Sequence, residues 1–156
     1  MKFILNKGKL YSYLDLESFD TMMNNRMAYY WRRGGTVVEY ELQDGILLIP
    51  DGVEVLDSGV FPNNNHITEL YLPDSVTRLD GGAFYNLDDV KKIHLPSSIK
   101  SIDVFDMRYL EQCVRSGCKG NFCAFGHCDE FATFYCEKGS FVDTYCKHFM
   151  LRVINE

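Results

Sequence analysis

Apolar positions in the middle of the chain come in short bursts at fixed intervals. In Ile67-Thr68-Glu69-Leu70-Tyr71-Leu72 they alternate, with one irregularity, and this predicts a strand with Ile67, Leu70 and Leu72 facing a core. Val90-Lys91-Lys92-Ile93-His94-Leu95 repeats the pattern 23 residues later. A proline follows each burst, because a residue without an N–H and with a fixed φ ends a strand. Pro50, Pro73 and Pro96 are spaced by 23 and 23. Stacking the chain on that period aligns IPDGVEVLDSGVF (49–61), LPDSVTRLDGGAF (72–84) and LPSSIKSIDVF (95–105). Val53, Val76 and Ile99 then share a column, as do Leu56, Leu79 and Ile102. Phe61 and Phe84 share a third column, which Phe105 joins if the last unit has lost two residues.

Several apolar columns in register at one fixed period mark a solenoid. One unit cannot bury its apolar face alone, so neighbours stack and strands 23 residues apart become adjacent and parallel. The Pro-Asp-Gly and Pro-Asp-Ser steps supply turns. The segment from Val76 to Phe84 is expected to return the chain with its apolar residues aimed at the same core.

The pattern I/L-P-x-x-V-x-x-I/L-x-x-x-A-F, fullest in LPDSVTRLDGGAF, resembles the BspA-type class of leucine-rich repeats. The lead-in LQDGILLIPDGV (42–53) resembles the first strand of such arrays, and ATFYCEKGSFVDTYCKHFMLRVI (132–154) their strand, turn, helix and strand ending. The resemblance runs from about Glu41 to the end, with a gap at 106–131. It implies an α/β leucine-rich-repeat solenoid, short and right-handed, with parallel strands. It also implies a binding scaffold, often a module of bacterial surface proteins, with no catalytic residues to carry over.

Both open ends of a solenoid need covering. Leu16, Phe19, Met23, Met27 and Tyr30 recur at helical spacing before Gly34-Gly35, which predicts an N-terminal helical cap. Ser140-Phe141-Val142-Asp143 has capping-box form, and Phe141, Tyr145 and Phe149 follow along one helical face, which predicts a C-terminal strand-helix-strand cap. The expected single domain thus comprises a cap (1–40), repeats (41–105), a Cys-rich irregular segment (106–131) and a second cap (132–156). With both closures present, the chain reads as a complete small protein rather than a slice of a longer array.

The period also projects two outward columns on the strand face, Leu48, Tyr71, His94 and Ile46, Glu69, Lys92. Aliphatic and aromatic anchors beside a few charges suit a partner-binding patch. A different reading rests on Cys113, Cys118, Cys123 and Cys128, spaced by five and interleaved with glycines. That spacing lies at the outer limit of zinc-ligand pairs, so the expected state is reduced structural thiols with no cofactor, and zinc is the minority alternative. Catalysis finds little support. His66, His94, His127 and His148 are scattered, and no hydrolase, zincin or phosphate-loop motif occurs.

Charge enters last. Sixteen Lys and Arg against 22 Asp and Glu give a net charge of −6, which favours a partner with a basic surface and disfavours direct nucleic-acid binding. No apolar run nears the roughly 20 residues a bilayer requires, and the first residues lack a secretory pattern. Six cysteines without an export signal point to the cytoplasm, although the resemblance leans to the cell surface. The expectation is a non-enzymatic module that binds a protein through the strand face, as adaptor or inhibitor. The alternative is a structural or sensing protein governed by metal or thiol state around Cys113–Cys128.

Overall fold

The computed structural model describes residues 1–12, 36–57, 60–61, 66–84, 87–103, 125 and 132–156. Its centre is built by the 23-residue period. The strands β5 (Ile46–Leu48), β7 (Glu69–Tyr71) and β9 (Lys92–His94) pair in parallel, Leu47 opposite Leu70 and Leu70 opposite Ile93. β11 (Thr133–Cys136) continues the sheet with Phe134 opposite Ile93, and β12 (Arg152–Asn155) closes it. β4 (Leu42–Gln43) joins β5 antiparallel at the other edge. The inward column Leu47, Leu70, Ile93 and Phe134 is fully buried, as are Ile67, Val76 and Ile99.

The return segments do more than bring the chain back. They contain a second set of strands too short to show alternation: β6 (Val55–Leu56), β8 (Arg78–Leu79) and β10 (Ser101–Ile102). These pair in parallel as a second sheet, with Leu56 opposite Leu79 and Leu79 opposite Ile102. Each repeat proline opens a turn, in which the Val76 and Ile99 amides donate to the Pro73 and Pro96 carbonyls. Two residues on, Ser75 and Ser98 donate to the Val53 and Val76 carbonyls of the unit before. Backbone and side chain thereby repeat one another at the same step.

The N-terminal end adds three strands that the repeat pattern does not predict. β1 (Lys2–Asn6) and β2 (Lys9–Ser12) form a hairpin, β3 (Thr36–Glu39) pairs with β1, and β2 pairs in parallel with β6. This β-structure covers the open end of the second sheet. The helix expected between Leu16 and Arg33 lies outside the described residues. The turn between β4 and β5 requires its glycine: Asp44 and Gly45 both have positive φ, 51° and 83°. A Cβ on Gly45 would lie 2.5 Å from Thr68 Oγ1, whose hydroxyl donates to the Gly45 carbonyl.

One apolar spine runs from end to end. Phe3 meets Phe61 edge-on at 6.3 Å, Phe61 meets Phe84 at 6.2 Å, and Phe84 stacks on Phe125 at 5.2 Å and 9°. Phe125 continues to Phe134 and Tyr145 of the C-terminal cap. The described neighbour of Phe84 in this column is therefore Phe125; Phe105, assigned to it from sequence, lies outside the described residues. The register explains the difference. Phe61 precedes Leu70 by nine residues, Phe84 precedes Ile93 by nine, and Phe125 precedes Phe134 by nine. Ile93 and Phe134 are paired but 41 apart, 18 more than the period, so the third unit carries an insertion of 18 residues between Asp103 and Phe125.

The C-terminal cap is the expected strand, turn, helix and strand, with α1 at Phe141–His148. Ser140 Oγ accepts from the Asp143 amide, while the Asp143 carboxylate accepts from the Gly139 amide at 2.9 Å, one residue before the cap. Lys147 Nζ and Asn155 Nδ2 also donate to that carboxylate, at 2.8 and 2.9 Å. Asp143 therefore ties turn, helix and last strand together. These bonds, Asn155 first, hold its carboxyl down at about 2. Since the folded value lies below the ordinary 3.8, the unfolded chain takes up the proton first on acidification. The bonds' contribution is complete above about pH 5 and is lost as pH falls through 4 toward 2. Acid titration followed by near-ultraviolet circular dichroism is expected to show this loss, and Asp143→Asn to flatten it.

Candidate partner-binding face

The outward positions of the larger sheet fall into register as the period requires. Ile46, Glu69, Lys92 and Thr133 form one row across the strands, and Leu48, Tyr71, His94 and Tyr135 the other. Leu48 is 60% exposed, and Ile46 and Tyr71 are each at 36%. The six sequence-selected residues thus share one surface. Tyr135 belongs beside them, and the sequence reading missed it because the 18-residue insertion breaks the period before β11.

The second row is a stack. The Tyr71 and His94 rings lie 3.9 Å apart and 7° from parallel, and the His94 and Tyr135 rings 4.5 Å and 14°. Ring stacking of this kind follows from the strand spacing of about 4.8 Å. Glu69 fixes the stack from the neighbouring row. Its carboxylate accepts from the Tyr71 hydroxyl at 2.7 Å and Lys92 Nζ at 3.2 Å, and lies 2.9 Å from His94 Nε2. The Tyr71 bond is the largest influence holding the Glu69 carboxyl below its usual range, and the same bond raises the Tyr71 hydroxyl. The outward side chains of these strands are therefore ordered by one another.

Two hollows flank the stack. One, of about 570 Å³, is bounded by Ile46, Leu48 and Tyr71 with Tyr40, Glu39 and Glu41 beyond them. The other, of about 500 Å³, lies at the ends of β9 and β11 beside His94 and Tyr135, with Asp74, Glu137 and Glu156 around it. Glu156 Oε2 is 3.8 Å from His94 Nδ1.

Cys136 and Cys146 are buried in the C-terminal cap, and burial pushes the Cys136 thiol up. Among the described residues no cluster of His, Cys, Asp or Glu could hold a metal ion. Cys113, Cys118, Cys123 and Cys128 lie outside the described residues. No helix among the described residues is long and apolar enough to cross a membrane.

A stack of parallel repeats with a pre-ordered, partly apolar outer sheet defines the class: a repeat-built interaction scaffold. Residues 45–114 match the family model of the BspA type leucine-rich repeat region (6 copies), with which the parallel solenoid is consistent. Solenoids of this family are typically non-catalytic scaffolds that bind proteins. No curated protein and no solved structure matches the chain.

Proposed function

We propose that the protein is a non-catalytic interaction module that binds a protein partner, as adaptor or inhibitor, through Ile46, Leu48, Glu69, Tyr71, Lys92 and His94. The observation that carries this reading is the stack of Tyr71, His94 and Tyr135 beside exposed Leu48, fixed by Glu69. Rigid aromatic anchors supply contact area at little entropic cost, because their rotamers are already set. The hydrogen bonds among Glu69, Tyr71 and Lys92 satisfy the polar groups that a partner would otherwise leave unpaired on burial.

The double variant Leu48→Ser/Tyr71→Ser tests it. Both positions point outward, so the cost to folding is the lost ring stack and a surface change, about 1–2 kcal/mol, and melting falls by roughly 5 °C. Removing two central anchors weakens partner binding more than 100-fold, on the scale of about 2 kcal/mol or more each. Calorimetry of the folded variant with the captured partner reads this directly. An unchanged affinity would mean that the partner binds elsewhere.

A further inference from the structure

The strand face carries the aromatic stack and the internally paired Glu69 and Lys92 along its middle and further carboxylates at both ends, and this distribution specifies a partner more narrowly than the fold does. At the first end Glu39 and Glu41 border a hollow whose walls are Tyr40, Leu48 and Tyr71. At the second, Asp74, Glu137 and Glu156 stand around a hollow beside Tyr135. Among the described residues Glu39, Glu41, Asp74 and Glu137 make no ion pair. Of the basic side chains on the face, Lys92 and His94 already bond Glu69, and Arg152 stands at the start of β12, four residues before Glu156 at the second hollow. Lys2 stands opposite Glu39 in the β1–β3 register, leaving Glu41 the outer acid of the first hollow. A carboxylate rim around aromatic and aliphatic walls is the environment an arginine or lysine side chain fits, with its stem on the apolar walls and its head at the acids.

We infer that the face takes an extended cationic segment of a partner protein, with one basic side chain in each hollow. This rests on the proposed function and adds the chemistry of the partner. Its spacing follows from the sheet. The first hollow sits at β5 and the second beside β11, three strand spacings apart, or about 14 Å. A segment crossing the strands in extended form advances about 3.3 Å per residue, so the two basic residues stand about four positions apart. Between them the segment lies on Tyr71 and His94. The excess negative charge of the chain, −6, speeds the encounter.

The test uses the full chain and synthetic 12-residue peptides of glycine, serine and alanine carrying two arginines two, four or eight positions apart. A fourth peptide has two glutamates four apart. Fluorescence anisotropy at two salt concentrations reads binding. The peptide with arginines four apart is expected to bind about tenfold more tightly than the other two, through simultaneous occupancy of both hollows, and the glutamate peptide not to bind. Glu39→Gln/Glu41→Gln and Asp74→Asn/Glu137→Gln should each erase the spacing preference, with the chain's melting unchanged. Equal binding of all arginine peptides, or a preference that survives both variants, overturns the inference. If instead a captured partner is lost on Leu48→Ser/Tyr71→Ser while no arginine peptide shows the preference, the face binds proteins but not by this chemistry. If neither effect appears, both readings fall.

Discussion

Replacing Phe84 by alanine is expected to destabilise the protein by about 4 kcal/mol, the largest effect of any single truncation in the repeats. Phe84 is fully buried and stands mid-spine, between Phe61 at 6.2 Å and Phe125 at 5.2 Å. A solenoid has no core within a unit, only between units, so a cavity here weakens the contact on both sides at once. The ring packing lost with Phe125 adds to the transfer and cavity terms, since near-parallel rings are worth about 1 kcal/mol beyond area. Thermal melting is the check, with a fall of roughly 10 °C for a chain of this size. Because Phe125 passes the contact to Phe134 and Tyr145, the cap should loosen with the repeats. Faster thiol labelling at Cys146, read by mass spectrometry, would report that loosening. A drop in melting of only a degree or two would mean that the units do not depend on one another as this packing requires.

The second large effect is electrostatic. The 23-residue step puts Asp57, Asp80 and Asp103 in one column, three like charges on neighbouring turns. They are held by cations from outside the column. Lys9 Nζ bonds Asp57 at 3.0 Å and also Asp80, and Arg78 bonds Asp80 through Nε and Nη2 at 3.0 and 2.8 Å. Arg78 reaches Asp103 at 3.4 Å, where both side chains are half exposed and the pair adds little. Burial alone would raise the Asp80 carboxyl, yet the bonds from Lys9 and Arg78 outweigh it and leave it below its usual range. Lys9 is held above its own usual value by the same two aspartates against its burial. Lys9→Met keeps the stem and removes the charge, leaving the buried Asp57 and partly buried Asp80 carboxylates in one place. The expected cost at neutral pH is about 3 kcal/mol, on the scale for removing one partner of a buried ion pair.

The pH dependence separates this cause from lost packing. With Lys9 present, a carboxyl held below its usual range gives stability that is complete above about pH 5 and lost as pH falls. In Lys9→Met the same carboxylates repel, so protonating them relieves the strain. The gap between wild type and variant should therefore narrow as pH falls below about 4. Denaturant titrations at pH 7 and pH 3.5 measure it. A gap that stays constant would mean that the loss does not come from the charge of Lys9.

What could be read from sequence followed from how many residues carried each signal. The repeats were legible because Val53, Val76 and Ile99, with Leu56, Leu79 and Ile102, hold one period, and all but the half-buried Ile102 prove buried. The columns of the strand face were legible for the same reason, since parallel register only restates the period. The second sheet was not, because two-residue strands show no alternation. Nor was the N-terminal hairpin: Phe3-Ile4-Leu5 is a continuous apolar run, and the one clue was Asn6-Lys7-Gly8 before Leu10, a turn whose Lys7 and Gly8 both have positive φ. Tyr135 and Phe125 escaped because an insertion displaced them from the period, while their nine-residue spacing to neighbouring columns was preserved. The bonding of Glu69 to Tyr71, Lys92 and His94 depends on side-chain reach, which no pattern of residue types contains.

The strand face as binding surface is the central claim, and a comparative capture experiment tests it most directly. Three immobilised forms of the full chain are exposed to an extract of the host from which the gene comes: wild type, Leu48→Ser/Tyr71→Ser, and Thr77→Ala/Lys100→Ala on the return segments, where both residues are exposed. Quantitative mass spectrometry of the retained proteins is expected to show at least one that wild type and the return-segment variant hold equally and the strand-face variant loses. Retention of the same proteins in the same amounts by all three forms would contradict the account.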